Sequence, residues 1–228
     1  MLRKGNMVVL MLVALGASAP ALAADDDQGM GFSVGVTGGT LGLGLEAGYR
    51  FNKMFGVRAN AVSYNNDEDV TEEDFDINGK AKLKSIGATV DFHPFGGSFR
   101  LSAGLRSNKN KFSGVASPNG ATVEVGDDIY TAAEVGNLTG SASFKKTAPT
   151  LSVGWGGKFK TGIHFGVDLG VVIQGHPRLA ASSDGTLAND PTFQSSLDDQ
   201  LAEWQQDVDD EKYAKFWPIL QLHLLYRF

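Results

Sequence analysis

The sequence has no cysteine, which excludes disulfides, thiolate metal sites and a cysteine nucleophile together. Charge is sparse at 20%, and positive charge is the scarcer kind, with 20 Lys and Arg against 26 Asp and Glu. Nothing here is basic enough for nucleic acid. No apolar run approaching the length of a membrane helix occurs after Ala24. An earlier run, "MVVLMLVALGA" from Met7 to Ala17, is too short to span a bilayer, follows Arg3 and Lys4, and precedes Ala21-Leu22-Ala23. That is the pattern of a secretory signal, so residues 1–23 are expected to be removed and residues 24–228 to form the exported domain.

What the chain does have is glycine, 29 residues of it, and an alternation of period two. In "TLGLGLEAGYRF", Leu41, Leu43, Leu45, Ala47, Tyr49 and Phe51 share one parity, and Gly42, Gly44, Glu46, Gly48 and Arg50 the other. The same division runs through Phe55–Ala61, Ser85–Phe92, Phe99–Arg106 and Ile163–Gln174. A soluble sandwich or lipocalin-like barrel also alternates, but its solvated face is usually rich in Lys, Glu and Thr. Here the polar parity holds Gly, Ser and isolated charges, which suits a narrow lumen, while the apolar parity suits lipid.

Short turns after Phe51, His93 and Gly157 alternate with long polar segments at 65–80, 114–140 and 176–215. The pattern predicts strands at 31–37, 41–51, 55–65, 81–93, 98–113, 141–156, 162–175 and 217–228, with Gly38-Gly39 as the first tight outer turn. Pro218 is tolerable as an early residue of the last strand. The fold class expected is all-β: an eight-stranded antiparallel transmembrane β-barrel with one short extracellular-loop helix. Aromatics at the short-turn ends, namely Tyr49, Phe51, Phe55, Phe92, Phe95, Phe99, Trp155, Phe159, Tyr226 and Phe228, form the expected interfacial girdle.

The segments "VTGGTLGLGLEAGYRF", "NGKAKLKSIGATVDFHPFG", "DFHPFGGSFRLSAGL", "GSASFKKTAPTLSVGWG", "GHP" and "DDEKYAKFWPILQLHLLYRF" resemble, in order and spacing, the small proteobacterial outer-membrane barrels of the CarO type, with OmpW-like proteins more distant. The resemblance covers most of the exported domain and is weaker in the loops. It implies eight strands, little or no open pore, and uptake of small solutes, basic amino acids among them. No substrate site is carried over.

By parity, Glu46, Arg50, Arg58, Asp91, Arg100, Arg106, His164, Asp168, His223 and Arg227 face the lumen, where they are expected to form a charge network. That network could be a structural plug or a constricted solute path. Lys82, Lys84, Lys109 and Lys111 face outward above the apolar band and are candidates for lipopolysaccharide phosphates. Tyr226 and Phe228 fit the C-terminal aromatic signal of barrel-insertion machinery, an inference from resemblance to outer-membrane proteins in general. Asp74, Asp76 and Asn78-Gly79 open like a calcium loop, but Ser85 stands where a bidentate Glu is needed, so no metal site and no cofactor is expected. His176 with Ser182-Ser183-Asp184 lacks any motif for hydrolysis, and no enzyme is expected. Asp190-Pro191 reads as a helix start, followed by a stripe of Phe193, Leu197, Leu201, Trp204 and Val208. That helix, 191–208, is a candidate lid. The function expected is narrow or gated passage of small polar solutes by a monomer in the outer membrane of a Gram-negative bacterium; the alternative is a structural or surface-interaction barrel without transport.

Overall fold

The computed structural model describes residues 30–71, 75–125, 128–156 and 161–228. The signal expected at 1–23, Asp74 and Phe159 lie outside the described residues. In chain order the elements are β1 (Gly31–Gly39), β2 (Gly42–Arg50), β3 (Phe55–Thr71), β4 (Phe75–Phe92), β5 (Phe99–Asn108), β6 (Lys111–Pro118), β7 (Thr122–Val125), β8 (Asp128–Thr131), α1 (Ala132–Val135), β9 (Leu138–Ser143), β10 (Thr147–Gly156), β11 (Gly162–Ile173), β12 (Arg178–Ser183), α2 (Pro191–Asp210) and β13 (Phe216–Arg227).

Eight strands close a ring in the order β1-β2-β3-β4-β5-β10-β11-β13 and back to β1, every pair antiparallel. The register can be followed around it: Arg227 pairs with Ser33, then Gly48, Arg58, Thr89, Gly104, Thr150, Val172 and finally Trp217. The path returns to β13 ten residues from its start, 227 to 217, which is the stagger of tilted strands in a closed barrel. The fold is an eight-stranded antiparallel transmembrane β-barrel.

Its outer wall is apolar. Leu45, Ile86, Leu105, Ile163, Phe165 and Leu222 are all exposed, Phe165 at 77%, whereas the opposite parity buries Glu46, Asp91, Arg100, Arg106, Asp168 and His223. This is inverted relative to a water-soluble domain, as expected of a wall whose solvent is hydrocarbon. At the short-turn end the aromatics meet in pairs: Phe32 with Phe228, Tyr49 with Phe51, Phe55 with Phe92, Phe95 with Phe99, and Phe99 with Trp155.

Beyond the ring, one side continues upward where the sequence suggested loops. The 65–80 segment is the outer part of the β3–β4 hairpin, paired as far as Thr71 with Asp76. Cross-strand hydrogen bonding there outweighs a polar composition that reads as turn, and Asp67 opposite Lys80 adds an opposite-charge pair. The strand expected at 98–113 breaks at Lys109-Asn110, then resumes as β6 on the same β4 ladder, where Ser85 pairs with Asn108 and Lys82 with Lys111. Asn110 supports the break: its side-chain oxygen accepts from the Lys84 N–H. The strand expected at 141–156 is likewise divided into β9 and β10. β12 completes the extension on β9.

The first outer turn is Thr40-Leu41 rather than Gly38-Gly39. Gly42 takes φ +107°, which disfavours a side chain, and Gly39 passes so close to the Leu220 carbonyl that a Cβ would collide with it. Asp76 and Asn78 sit in the β4 ladder opposite Thr71 and Asp69, so these two lie in a strand and not in a cation-binding loop.

The stripe on α2 becomes a second small core. Phe193 and Leu197 are buried with Val123, Val125 and Val135. Asp190 caps the helix by accepting from the Thr192 and Phe193 N–H groups. A single-turn helix, α1, precedes β9 and is closed by a Thr131–Glu134 capping box.

Candidate functional site

The lumen is organised in layers because inward positions recur every second residue on eight staggered strands. At its centre, Arg58 of β3 forms ion pairs with three carboxylates from three other strands. It makes a two-pronged contact with Asp91 of β4, and its Nη1 lies 3.3 Å from Glu46 Oε1 of β2 and 2.9 Å from Asp168 Oδ2 of β11. Arg100 reaches the other Asp168 oxygen at 2.6 Å. His223 of β13 completes the ring of charges, with Nδ1 3.1 Å from Glu46 Oε2 and Nε2 3.0 Å from Asp168 Oδ2. Both imidazole nitrogens thus lie within ion-pair distance of a carboxylate, and Glu46, Asp91 and Asp168 are interleaved with Arg58, Arg100 and His223.

Glycine makes the room these side chains occupy. A Cβ on Gly154 would lie 1.9 Å from Asp168 Oδ1, and one on Gly87 would lie 2.7 Å from Arg106 Nη2. Arg106 sits one layer higher and donates to Ser85 Oγ and Asn60 Oδ1, each at 2.9 Å. Above it, Asn108 donates to Gln174 at 3.2 Å, and Gln221 bridges the Leu41 N–H and the Gly42 carbonyl. The ceiling is apolar: Leu41, Val62, Ala148, Val172 and Ile219 pack together under Trp217. Phe112 approaches Trp217 from the far side of the mouth, with ring centroids 6.2 Å apart.

Toward the short-turn end lie Arg50 and Arg227, both buried. Arg50 donates to the carbonyls of Asn52, Lys53 and Gly97. A cavity of about 60 Å³ lies between Arg50, Arg58, Asp91, Arg100 and Arg227. His164 occupies the inward parity of β11 near the same end and is half-buried. Thus Glu46, Arg58, Asp91, Arg100, Asp168 and His223 come together, Arg106 joins through Asn60, and Arg50 and Arg227 form a separate basic layer. Sequence reasoning did not single out Asn60, Ser85, Ser102, Asn108, Gln174 and Gln221, although all lie on the polar parity. Ser102 shows what they do: it donates to Asp91 at 2.6 Å and accepts from Arg58 at 3.2 Å.

Above the mouth, α2 lies against the extension's inner face. Gln205 holds it by accepting from the Leu179 N–H and donating to the Pro177 carbonyl, each at 3.0 Å. Between them is an apolar cleft of about 550 Å³ floored by Gly79, Gly114 and Gly140 and flanked by Leu201 and Trp204. The residues weighed for hydrolysis do not converge. His176 faces Asp209 and the Val208 carbonyl, and Ser183 donates to the Val135 carbonyl. Asp184 accepts from the Asn137 N–H at 2.6 Å and from its side-chain amide, which hold the Asp184 carboxyl below its ordinary range.

No family model matches the chain, and no curated protein matches its sequence. Solved structures do. Acinetobacter baumannii CarO superposes with a TM-score of 0.57 at 15% identity, covering 86% of this chain and 97% of that one. The fold is that of a CarO-type barrel. A second CarO structure, Acinetobacter baumannii CarO2, gives a TM-score of 0.57 at 13% identity over 87% of this chain and 99% of that one. A major outer membrane protein from Thermus thermophilus overlaps at a TM-score of 0.46 and 15% identity, over 87% and 99% of the two chains. At such identities the CarO-type likeness is one of backbone, so the lumen residues above rest on this chain's own geometry.

Proposed function

We propose that this chain is an outer-membrane barrel of a Gram-negative cell that passes small polar solutes by gated rather than constitutive flow. The observation that carries the proposal is the lumen's profile: polar and charged through most of its height, then closed by one apolar layer of Leu41, Val62, Ala148, Val172 and Ile219. A dense ion-pair network offers exchangeable partners to a zwitterionic or charged solute, and a thin apolar constriction is a recognised type of gate. The basic layer of Arg50 and Arg227 gives the short-turn end a preference for carboxylates. Tyr226 and Phe228, edge to face at the end of the last strand, suit recognition by the insertion machinery.

The second reading is a structural barrel that displays its extension and α2 to the surroundings. The filled lumen favours it. Flux separates the two. In liposomes holding the refolded exported domain, gated passage predicts uptake of small amino acids that increases when Leu41 and Val62 are both exchanged for Gly. No flux in either protein would leave the structural reading.

A further inference from the structure

On the outer wall of the extension, six cations lie in two adjoining rows. In the upper row Lys82 of β4 is directly opposite Lys111 of β6, Lys111 is opposite Ser143 of β9, and Ser143 is opposite Arg178 of β12. In the row below, the Lys109 N–H donates to the Lys84 carbonyl at 2.9 Å, and Lys145 follows Ser143 two residues on. All six are exposed. Like charges facing across a ladder are mutually repulsive, and among the described residues no carboxylate forms an ion pair with any of the six. Immediately below, Ile86 pairs with Ser107 and Ser107 with Thr147, and the apolar wall of Ile86, Leu105 and Leu151 begins. Among the described residues β13, β1 and β2 end at Phe216, Gly39 and Gly42 with no strand extension above them, so the patch lies on the side of the extension.

We propose that this patch is a binding site for a glycolipid carrying at least two phosphate groups, lying in the outer leaflet with its acyl chains along Ile86, Leu105 and Leu151. Charge complementarity and position argue for a lipid in preference to a free anion. The cations sit one row above the hydrocarbon-facing band, where a phosphorylated sugar headgroup lies while its chains cover the wall below. Strands separated by about 4.8 Å and same-face residues about 6.7 Å apart spread the six charges over an area that spans two phosphates. Ser107 and Thr147, on the row between, supply hydroxyl donors. Occupancy by a polyanion also removes the Lys82–Lys111 repulsion, so the lipid should brace the extension against the barrel.

The proposal rests on the outer-membrane reading, and the test separates the two. The refolded exported domain in neutral detergent is titrated with diphosphoryl lipid A and with the same lipid dephosphorylated, and bound lipid is counted by native mass spectrometry. Pyrophosphate serves as the competitor without acyl chains. Insertion into phosphatidylcholine vesicles, read by heat-dependent electrophoretic mobility, reports the barrel independently. Expected is binding of the diphosphoryl form that falls at least about tenfold in K82Q/K84Q/K109Q/K111Q, with insertion unchanged, while K212Q/K215Q binds as the parent does. Undiminished binding in the quadruple variant, equal binding of the dephosphorylated lipid, or full competition by equimolar pyrophosphate would overturn the proposal and leave the barrel standing. A chain that fails to insert would overturn both.

Discussion

Arg58 is the common partner of Glu46, Asp91 and Asp168, so its removal takes an ion-pair partner from each of three buried carboxylates. Loss of one partner from a buried ion pair typically costs about 3–5 kcal/mol. Arg58→Ala should therefore lower stability by at least that range, measured as the urea midpoint of the folded barrel in vesicles, whereas exchange of outward Leu222 for Ala should cost far less. Gly154→Ala tests the packing of the same network: a methyl placed on the Asp168 carboxylate should destabilise, although alanine ordinarily suits a strand at least as well as glycine. The charged members of this network were legible in the sequence because a lone charge on an otherwise small-residue parity has few interpretations. Asn60 and Ser102 were not, since Asn and Ser on that parity are equally compatible with simple space-filling. Nor could sequence separate Arg50 and Arg227 from the central cluster, because strand stagger, and not parity, sets their height.

At the level of elements, α2 and the β7–β8 hairpin share a core around Phe193, a residue with no exposure. Phe193→Ala should remove about 3–5 kcal/mol from the local stability of this cap, seen as rapid proteolysis within 176–215 while the barrel keeps its heat-dependent mobility. The connection before α2 should respond to acid. Asparagine donors hold Asp184 below the usual carboxylate range, so its contribution is complete above the unfolded value near 4 and is lost as pH falls through the folded value. Protease sensitivity of this connection should rise on acidification below about pH 4, and Asp184→Asn should flatten that dependence. Helix α2 was readable from its Asp-Pro start and apolar stripe, and runs to Asp210, two residues past the boundary inferred from the sequence. The extension was not, because residues 65–80 carry turn-forming composition, and only their pairing with one another in the β3–β4 hairpin and with β6 commits them to strand.

For the whole molecule, the order of eight strands and the inside-out sorting of side chains were legible in the sequence, since period two constrains every strand at once. Closure into a barrel followed from the even count of alternating strands, but its stagger did not, because that needs the register between β1 and β13, which are separated by most of the chain. The account's central claim is that hydrocarbon surrounds the Leu and Phe parity of this ring. The most direct measurement places a single environment-sensitive fluorophore, one position at a time, on neighbours Gln221 and Leu222 and again on Gly166 and Phe165, in residues 24–228 refolded into vesicles. The account predicts quenching by brominated lipid at positions 222 and 165 and protection at 221 and 166. Quenching by an aqueous quencher at 222 and 165, or no difference between neighbours, would contradict it.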